Sequence, residues 1–393
     1  MLQLDGADDG LRERVRSARV SVGEEALVDL RRRLQDVRWP TRETVEDWSQ
    51  GVPLGRMKAF NDYWLNTYDW RRCEAMLNSW CPHVTTLDGL EIAFFHIRSP
   101  ETDALPMIMT HGWPGSILEF NRVVGPLTDP VSHGGDAGDA FHLVLPCLPG
   151  FGFSAQPESA GWTVGRIATA WAELMDRLGY GRWVAQGGDW GAMVTSHLAA
   201  AAPSGCVAVH LNTVDIASDS VDDHDNGPDA QRARAKAERY AAEEIGYVKE
   251  QATRPQTLGY ALADSPTGQA AWIYEKYKGW MDPSREPEDA FGFNAMIDNI
   301  MLYWLTDSAA SSARLYWESL ADGALSSPVE LPVAVTLFLD DVTYTPRHRA
   351  ERLLRNIISW NEVETGGHLA AFERPDLFTP EVCQAFRTFR TGY

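Results

Sequence analysis

Apolar positions change their period four times along the chain. Up to residue 83 they recur at helical spacing. Leu27, Leu30, Leu34 and Val37 predict a helix over 21–38, opened by a Ser21/Glu24 capping box and stopped by Trp39-Pro40. Leu54, Met57, Phe60 and Trp64 mark a second helix, and Met76, Leu77 and Trp80 a third. This segment, 1–83, is too small to bury its own aromatic face and is expected to pack on the main core. At 84–96 the period becomes two: Val84–Leu87 and Leu90–His96 flank Asp88-Gly89, a strong hairpin signal. Continuous apolar runs then alternate with amphipathic helices. The runs are Met107–Thr110, Phe141–Leu145, Trp183–Gln186 and Val207–Leu211. Between them lie a Ser116–Val124 helix with a Ser116/Glu119 box and a helix lined by Ile167, Trp171, Leu174 and Leu178. Strands that are apolar throughout belong to a parallel sheet covered on both faces.

The alternation breaks at about 213, where an acidic run (Asp219 to Asp229) introduces an aromatic-rich helical stretch. It resumes with Val333–Leu339 and a strand near Asn356–Trp360, before a last helix around Pro380–Phe389. The expected architecture is an α/β core with a mostly parallel sheet and helices on both faces. It divides into the N-terminal helical segment (1–83), a first core part (84–212), a helical lid (213–308) and a second core part (309–393).

Composition narrows the function. A net charge of −20 excludes nucleic acid and anionic membrane surfaces as partners. The first twenty residues hold no apolar run that could serve as signal or anchor. Five cysteines without metal-ligand spacing indicate reduced thiols, hence a cytoplasmic setting.

The candidate chemistry centres on Gln186-Gly187-Gly188-Asp189-Trp190-Gly191-Ala192, between an apolar strand and an alanine-rich helix. Small residues around one central side chain mark a tight strand-to-helix turn of the kind that carries a nucleophile. A mere helix cap would not need those glycines. A serine alkylated at an sp³ carbon would become an ether, whereas a carboxylate becomes an ester that water can cleave. Asp189 therefore points to displacement at an alkyl carbon followed by hydrolysis. His368, in Thr365-Gly366-Gly367-His368, comes late enough in the chain to be the base for the second step. A carboxylate must orient it; Asp340 and Asp341 both follow the Val333–Leu339 strand, and Asp215 is a weaker third choice. In His111-Gly112-Trp113-Pro114-Gly115, the turn can present the Trp113 amide, paired with the Trp190 amide, to an oxyanion. His111 itself is expected to brace that loop.

These motifs resemble those of the epoxide hydrolases of the α/β-hydrolase superfamily, in the branch related to the microsomal enzyme. The resemblance rests on H-G-W-P-G-S at 111–116, P-G-F-G-F-S at 149–154, G-G-D-W-G at 187–191 and G-G-H-L-A-A-F-E-R-P at 366–375. It implies an α/β-hydrolase core that hydrolyses a small-molecule epoxide to a vicinal diol without cofactor or metal; the aromatic-rich lid suggests that the epoxide is bulky and apolar or aryl. It selects Asp341 as the acid, although many microsomal-type relatives carry Glu there. It also implies that Tyr247 and Tyr316 donate hydrogen bonds to the epoxide oxygen. The chain would be a soluble member without a membrane anchor, a homodimer being common in this branch. Natural-product biosynthesis and detoxification are the settings this suggests. The rivals are a haloalkane dehalogenase, which needs halide-binding donors instead of lid tyrosines, and a non-catalytic binding protein, in which the nucleophile, base or acid is broken. A serine esterase is excluded by the elbow.

Overall fold

The computed structural model describes residues 1–4, 15–214, 227–322 and 325–390. Asp215 and the acidic run up to residue 226 lie outside them. One ten-stranded sheet organises the described chain, in the order β1-β2-β3-β4-β6-β5-β7-β8-β9-β10. The strands are β1 (Leu2–Leu4), β2 (Arg16–Val20), β3 (Pro82–Leu87), β4 (Leu90–Ile97), β5 (Leu105–Thr110), β6 (Phe141–Pro146), β7 (Trp183–Gly187), β8 (Cys206–Leu211), β9 (Val333–Phe338) and β10 (Ile357–Val363). From β1 to β6 neighbours run antiparallel, and from β6 across to β10 they run parallel. β5, β6, β7 and β9 are buried at every residue, as their unbroken apolar runs require. The hairpin turns through Asp88 and Gly89, both with positive φ (45° and 81°), the geometry that favours an Asp-Gly pair. The chain leaves β5 to one side for β6 and returns to the other side for β7. Beyond the carboxyl ends of β5 and β7 this reversal opens the crevice in which open α/β sheets bind ligands.

Several expectations need correction. β1 and β2 are short, and only Ala18 and Val20 of β2 are buried, too few apolar positions to signal a strand. The Ser21/Glu24 box does not form. The Ser21 amide bonds to the Met1 carbonyl and the Val22 amide to Glu74, so the helix starts only at Glu24, after Gly23. Ser116 does cap, accepting from the Leu118 amide, but the turn is a short 3₁₀ segment, Ile117–Phe120, and Glu119 points inward. The inserted helices do not end at 308. Helix Ala309–Asp322 follows without an intervening strand and packs on helices Gly246–Thr253 and Pro255–Asp264. The N-terminal helices pack largely on this insertion rather than on the sheet. Phe60 packs between Tyr274 and Phe293, and Asp298, whose carboxyl burial pushes up, is held by Arg72 and Tyr68. All five cysteines are unpaired. Among the described residues no helix is long and apolar enough to cross a membrane.

Candidate active site

Asp189 stands between β7 and helix Trp190–Ala201 with φ 51° and ψ −130°, a left-handed conformation that side chains rarely adopt. Close packing holds it there. A Cβ on Gly191 would lie 1.9 Å from the Thr110 carbonyl, and one on Gly112 would lie 2.1 Å from Asp189 Oδ1. Only glycine at both positions lets the two turns approach this closely.

Both carboxylate oxygens of Asp189 are engaged. Oδ1 accepts the Trp113 amide at 2.7 Å, and Oδ2 lies 2.9 Å from His368 Nε2. The other imidazole nitrogen, Nδ1, is 2.9 Å from Asp341 Oδ1, which also accepts the Thr343 amide. The structure thus brings Asp189, His368, Asp341 and Trp113 together. The Trp190 amide opens the helix beside them and makes no hydrogen bond to the carboxylate. Asp340 accepts the Gly366 amide instead, supporting the histidine loop from outside. His111 braces its loop as expected: Nε2 accepts the Leu148 amide, leaving Nδ1 to donate to the Gly112 carbonyl, and burial holds the ring near a pKa of about 4.

Burial alone would push the His368 imidazole down. The Asp341 charge and the Asp189 hydrogen bond outweigh it and leave it well above the ordinary histidine range. Trp280 packs against its ring at 5.0 Å, and the Trp280 carbonyl accepts the His368 amide.

Above the carboxylate lies a cavity of about 450 Å³ that Asp189 and His368 share with Tyr240, Tyr247 and Tyr316. Its other walls are largely apolar, including Val214, Ala233, Ala237, Ile245, Val248 and Leu320. Tyr247 stacks on Trp113 at 5.0 Å, and Tyr316 meets Trp190 edge-on at 4.6 Å. Burial, with the Asp189 charge contributing, raises both phenols well above the ordinary range, so they stay protonated as donors. Tyr316 Oη is buried without a hydrogen-bond partner. A larger open cleft of about 1190 Å³ near Trp48 and Asp289 is flanked by Arg56 ion pairs and lies away from this chemistry.

Sequence reasoning missed three residues here. Lys236, on helix Pro228–Arg239, donates to the Leu339 and Asp341 carbonyls and ties the lid to the acid loop. Its position in a charged helical pattern reads as surface. Glu119 is buried beneath the His111–Gly115 turn with Oε2 unpartnered; burial, then the Asp189 charge, pushes its carboxyl up to about 8. The capping pattern concealed that. Tyr240 Oη lies 3.0 Å from Tyr247 Oη, and no motif announces it.

A strained strand-to-helix turn that carries a carboxylate, facing a late histidine held by a second carboxylate, defines an α/β-hydrolase with an acid at its elbow. Residues 106–257 match the alpha/beta hydrolase fold model, and residues 15–120 match the epoxide hydrolase N terminus model. A Stigmatella aurantiaca protein assigned to the epoxide hydrolases is 53% identical over 95% of this chain and 84% of its own. Rabbit (Oryctolagus cuniculus) epoxide hydrolase 1 is 32% identical over 95% of this chain and 88% of its own. Among solved structures, juvenile hormone epoxide hydrolase from Bombyx mori superposes with a TM-score of 0.83 at 29% identity, covering 96% and 94% of the two chains. Aspergillus niger epoxide hydrolase gives 0.83 at 28%, covering 95% and 96%. The chain belongs to the epoxide hydrolases.

Proposed function

We propose that this epoxide hydrolase works through a covalent ester on Asp189, and that its substrate is a bulky apolar or aryl epoxide. Asp189 attacks an epoxide carbon while Tyr247 and Tyr316 hold the departing oxygen. The ester formed carries no charge, so His368 loses one of the two carboxylates that keep it protonated. It sheds its proton and becomes the base that the second step needs. Oriented by Asp341, neutral His368 deprotonates a water that attacks the ester carbonyl, with the Trp113 and Trp190 amides receiving the oxyanion. The diol leaves and Asp189 is restored.

The observation that carries this reading is the pairing of Asp189 with His368 at 2.9 Å under two buried, protonated phenols in one cavity. The apolar walls of that cavity support the substrate class. The test uses His368→Gln, exposed to styrene oxide and weighed intact. The variant should accumulate a protein heavier by one epoxide, and a peptide carrying Asp189 should hold the added mass. A variant that turns over without an adduct, or carries it elsewhere, contradicts the proposal.

A further inference from the structure

The two phenols over Asp189 are not equivalent. Tyr316 Oη is buried and has no hydrogen-bond partner, whereas Tyr247 Oη is paired with Tyr240 Oη at 3.0 Å. Tyr240 opens a five-residue π-helical turn, Tyr240–Glu244, between helices Pro228–Arg239 and Gly246–Thr253. Wide turns of this kind gather at functional sites. This one is fastened to the site: Glu244 accepts Trp280 Nε1 at 3.1 Å, and Trp280 packs on both Tyr247 and His368. Tyr240 lines the same cavity as Asp189.

A phenol has one proton to donate, while its oxygen can also accept. When Tyr247 points its proton at an epoxide, its oxygen is free to accept from Tyr240. We propose that Tyr240 is a positioning residue for epoxide opening: it donates to Tyr247 Oη, which makes Tyr247 the phenol that surrenders its proton, while Tyr316 binds the same oxygen and keeps its own. This rests on the covalent reading above. In the opening step the Asp189 oxygen–carbon bond forms and the epoxide carbon–oxygen bond breaks. The electron pair stays on the epoxide oxygen, which takes the Tyr247 proton. The Tyr247 phenolate is then stabilised by a charge-assisted hydrogen bond from Tyr240, stronger than one between neutral groups. At Tyr316 only the Trp190 and Tyr247 side chains would ease a negative charge, both from beyond ordinary hydrogen-bond geometry, and Tyr247 is turned to the epoxide. The proton that His368 sheds on esterification restores the phenol. The acid proton of regenerated Asp189 later returns to His368, so the cycle closes.

The test is single-turnover mixing of the full chain with styrene oxide, following opening and ester hydrolysis through tryptophan fluorescence, since Trp113, Trp190 and Trp280 border the site. Tyr240→Phe keeps the ring and removes the donor. It should slow opening by about tenfold or more and leave ester hydrolysis within about twofold of wild type. In Tyr240→Phe/Tyr247→Phe, opening should be no slower than in Tyr247→Phe alone, because the two hydroxyls act as one unit. With Tyr316→Phe the Tyr240→Phe effect should multiply. Unchanged opening in Tyr240→Phe, equal slowing of both steps, or multiplying effects of Tyr240→Phe and Tyr247→Phe would overturn the assignment. If wild type forms no ester intermediate, the covalent reading fails instead, a result distinct from these.

Discussion

The floor of the site and its roof are built on different principles. Asp189, His368 and Asp341 stand on turns beyond the carboxyl ends of β7, β10 and β9. Each is tied to backbone: Asp189 to the Trp113 amide, Asp341 to the Thr343 amide, and the His368 amide to the Trp280 carbonyl. The tyrosines hang from helices inserted between β8 and β9; Tyr316 Oη lacks a hydrogen-bond partner and Tyr247 Oη pairs with Tyr240 Oη. The floor fixes a charge in place at the cost of a strained backbone; the roof keeps weak acids dry, neutral and available. Lys236 on the acid loop and the Arg72–Asp298 clamp fasten the roof to the rest. Damage to the floor should therefore abolish chemistry, whereas damage to the roof should grade it.

The sharpest contrast comes from Asp189→Asn. It removes the proposed nucleophile without changing shape, so diol formation followed by chromatography should fall on the order of 10⁴-fold or more. Activity within about a hundredfold of wild type would erase the distinction between floor and roof. Tyr316→Phe should cost far less, slowing epoxide opening about ten- to a hundredfold through one lost hydrogen bond to a charged oxygen. Because that hydroxyl is buried without a partner, its removal should also stabilise the fold by about 1 kcal/mol in urea unfolding. A loss of stability would mean that the hydroxyl is satisfied in the resting protein.

The last effect sits beneath the floor and is read in stability, not in rate. Glu119 titrates at about 8 in the fold, against an ordinary 4.5. Its raised value means that the native state holds a proton which the unfolded chain gives up, so its contribution to stability is present below pH 4.5 and is lost as pH rises to 8. Glu119→Gln should remove that slope. Relative to wild type the variant should gain stability from pH 4.5 to 8 and level off above, read from thermal unfolding across that range. A constant difference between the two proteins would show that Glu119 does not titrate in this window.

The same division governs what the sequence reveals. Floor residues sit where the apolar period changes and small residues crowd a turn, so Asp189 and His368 are legible without any relative. Spacing could not separate Asp340 from Asp341, because adjacent side chains on one turn serve the same loop: Asp341 takes the imidazole and Asp340 the Gly366 amide. Roof residues carry no local mark. Tyr247 and Tyr316 lie in an insertion where other aromatics such as Tyr274, Tyr277, Trp280 and Tyr303 are packed in the core, in a chain with twelve tyrosines, and only the family motifs single them out. Tyr240 lacks even that, since its role depends on where a π-helical turn sets its ring. The lid boundary at 308 failed for a related reason. Helix Ala309–Asp322 follows helix Phe293–Leu305 without an intervening strand and carries Tyr316, and nothing in its own apolar pattern ties it to the insertion rather than to the core.

The central claim is that Asp189 bonds to carbon. The most direct measurement is a single turnover in heavy-oxygen water with enzyme in excess. The first diol should carry ordinary oxygen drawn from the Asp189 carboxylate, and the label should enter that carboxylate. Heavy oxygen in the first diol, with an unlabelled Asp189, would mean that water opens the epoxide directly and would contradict the account.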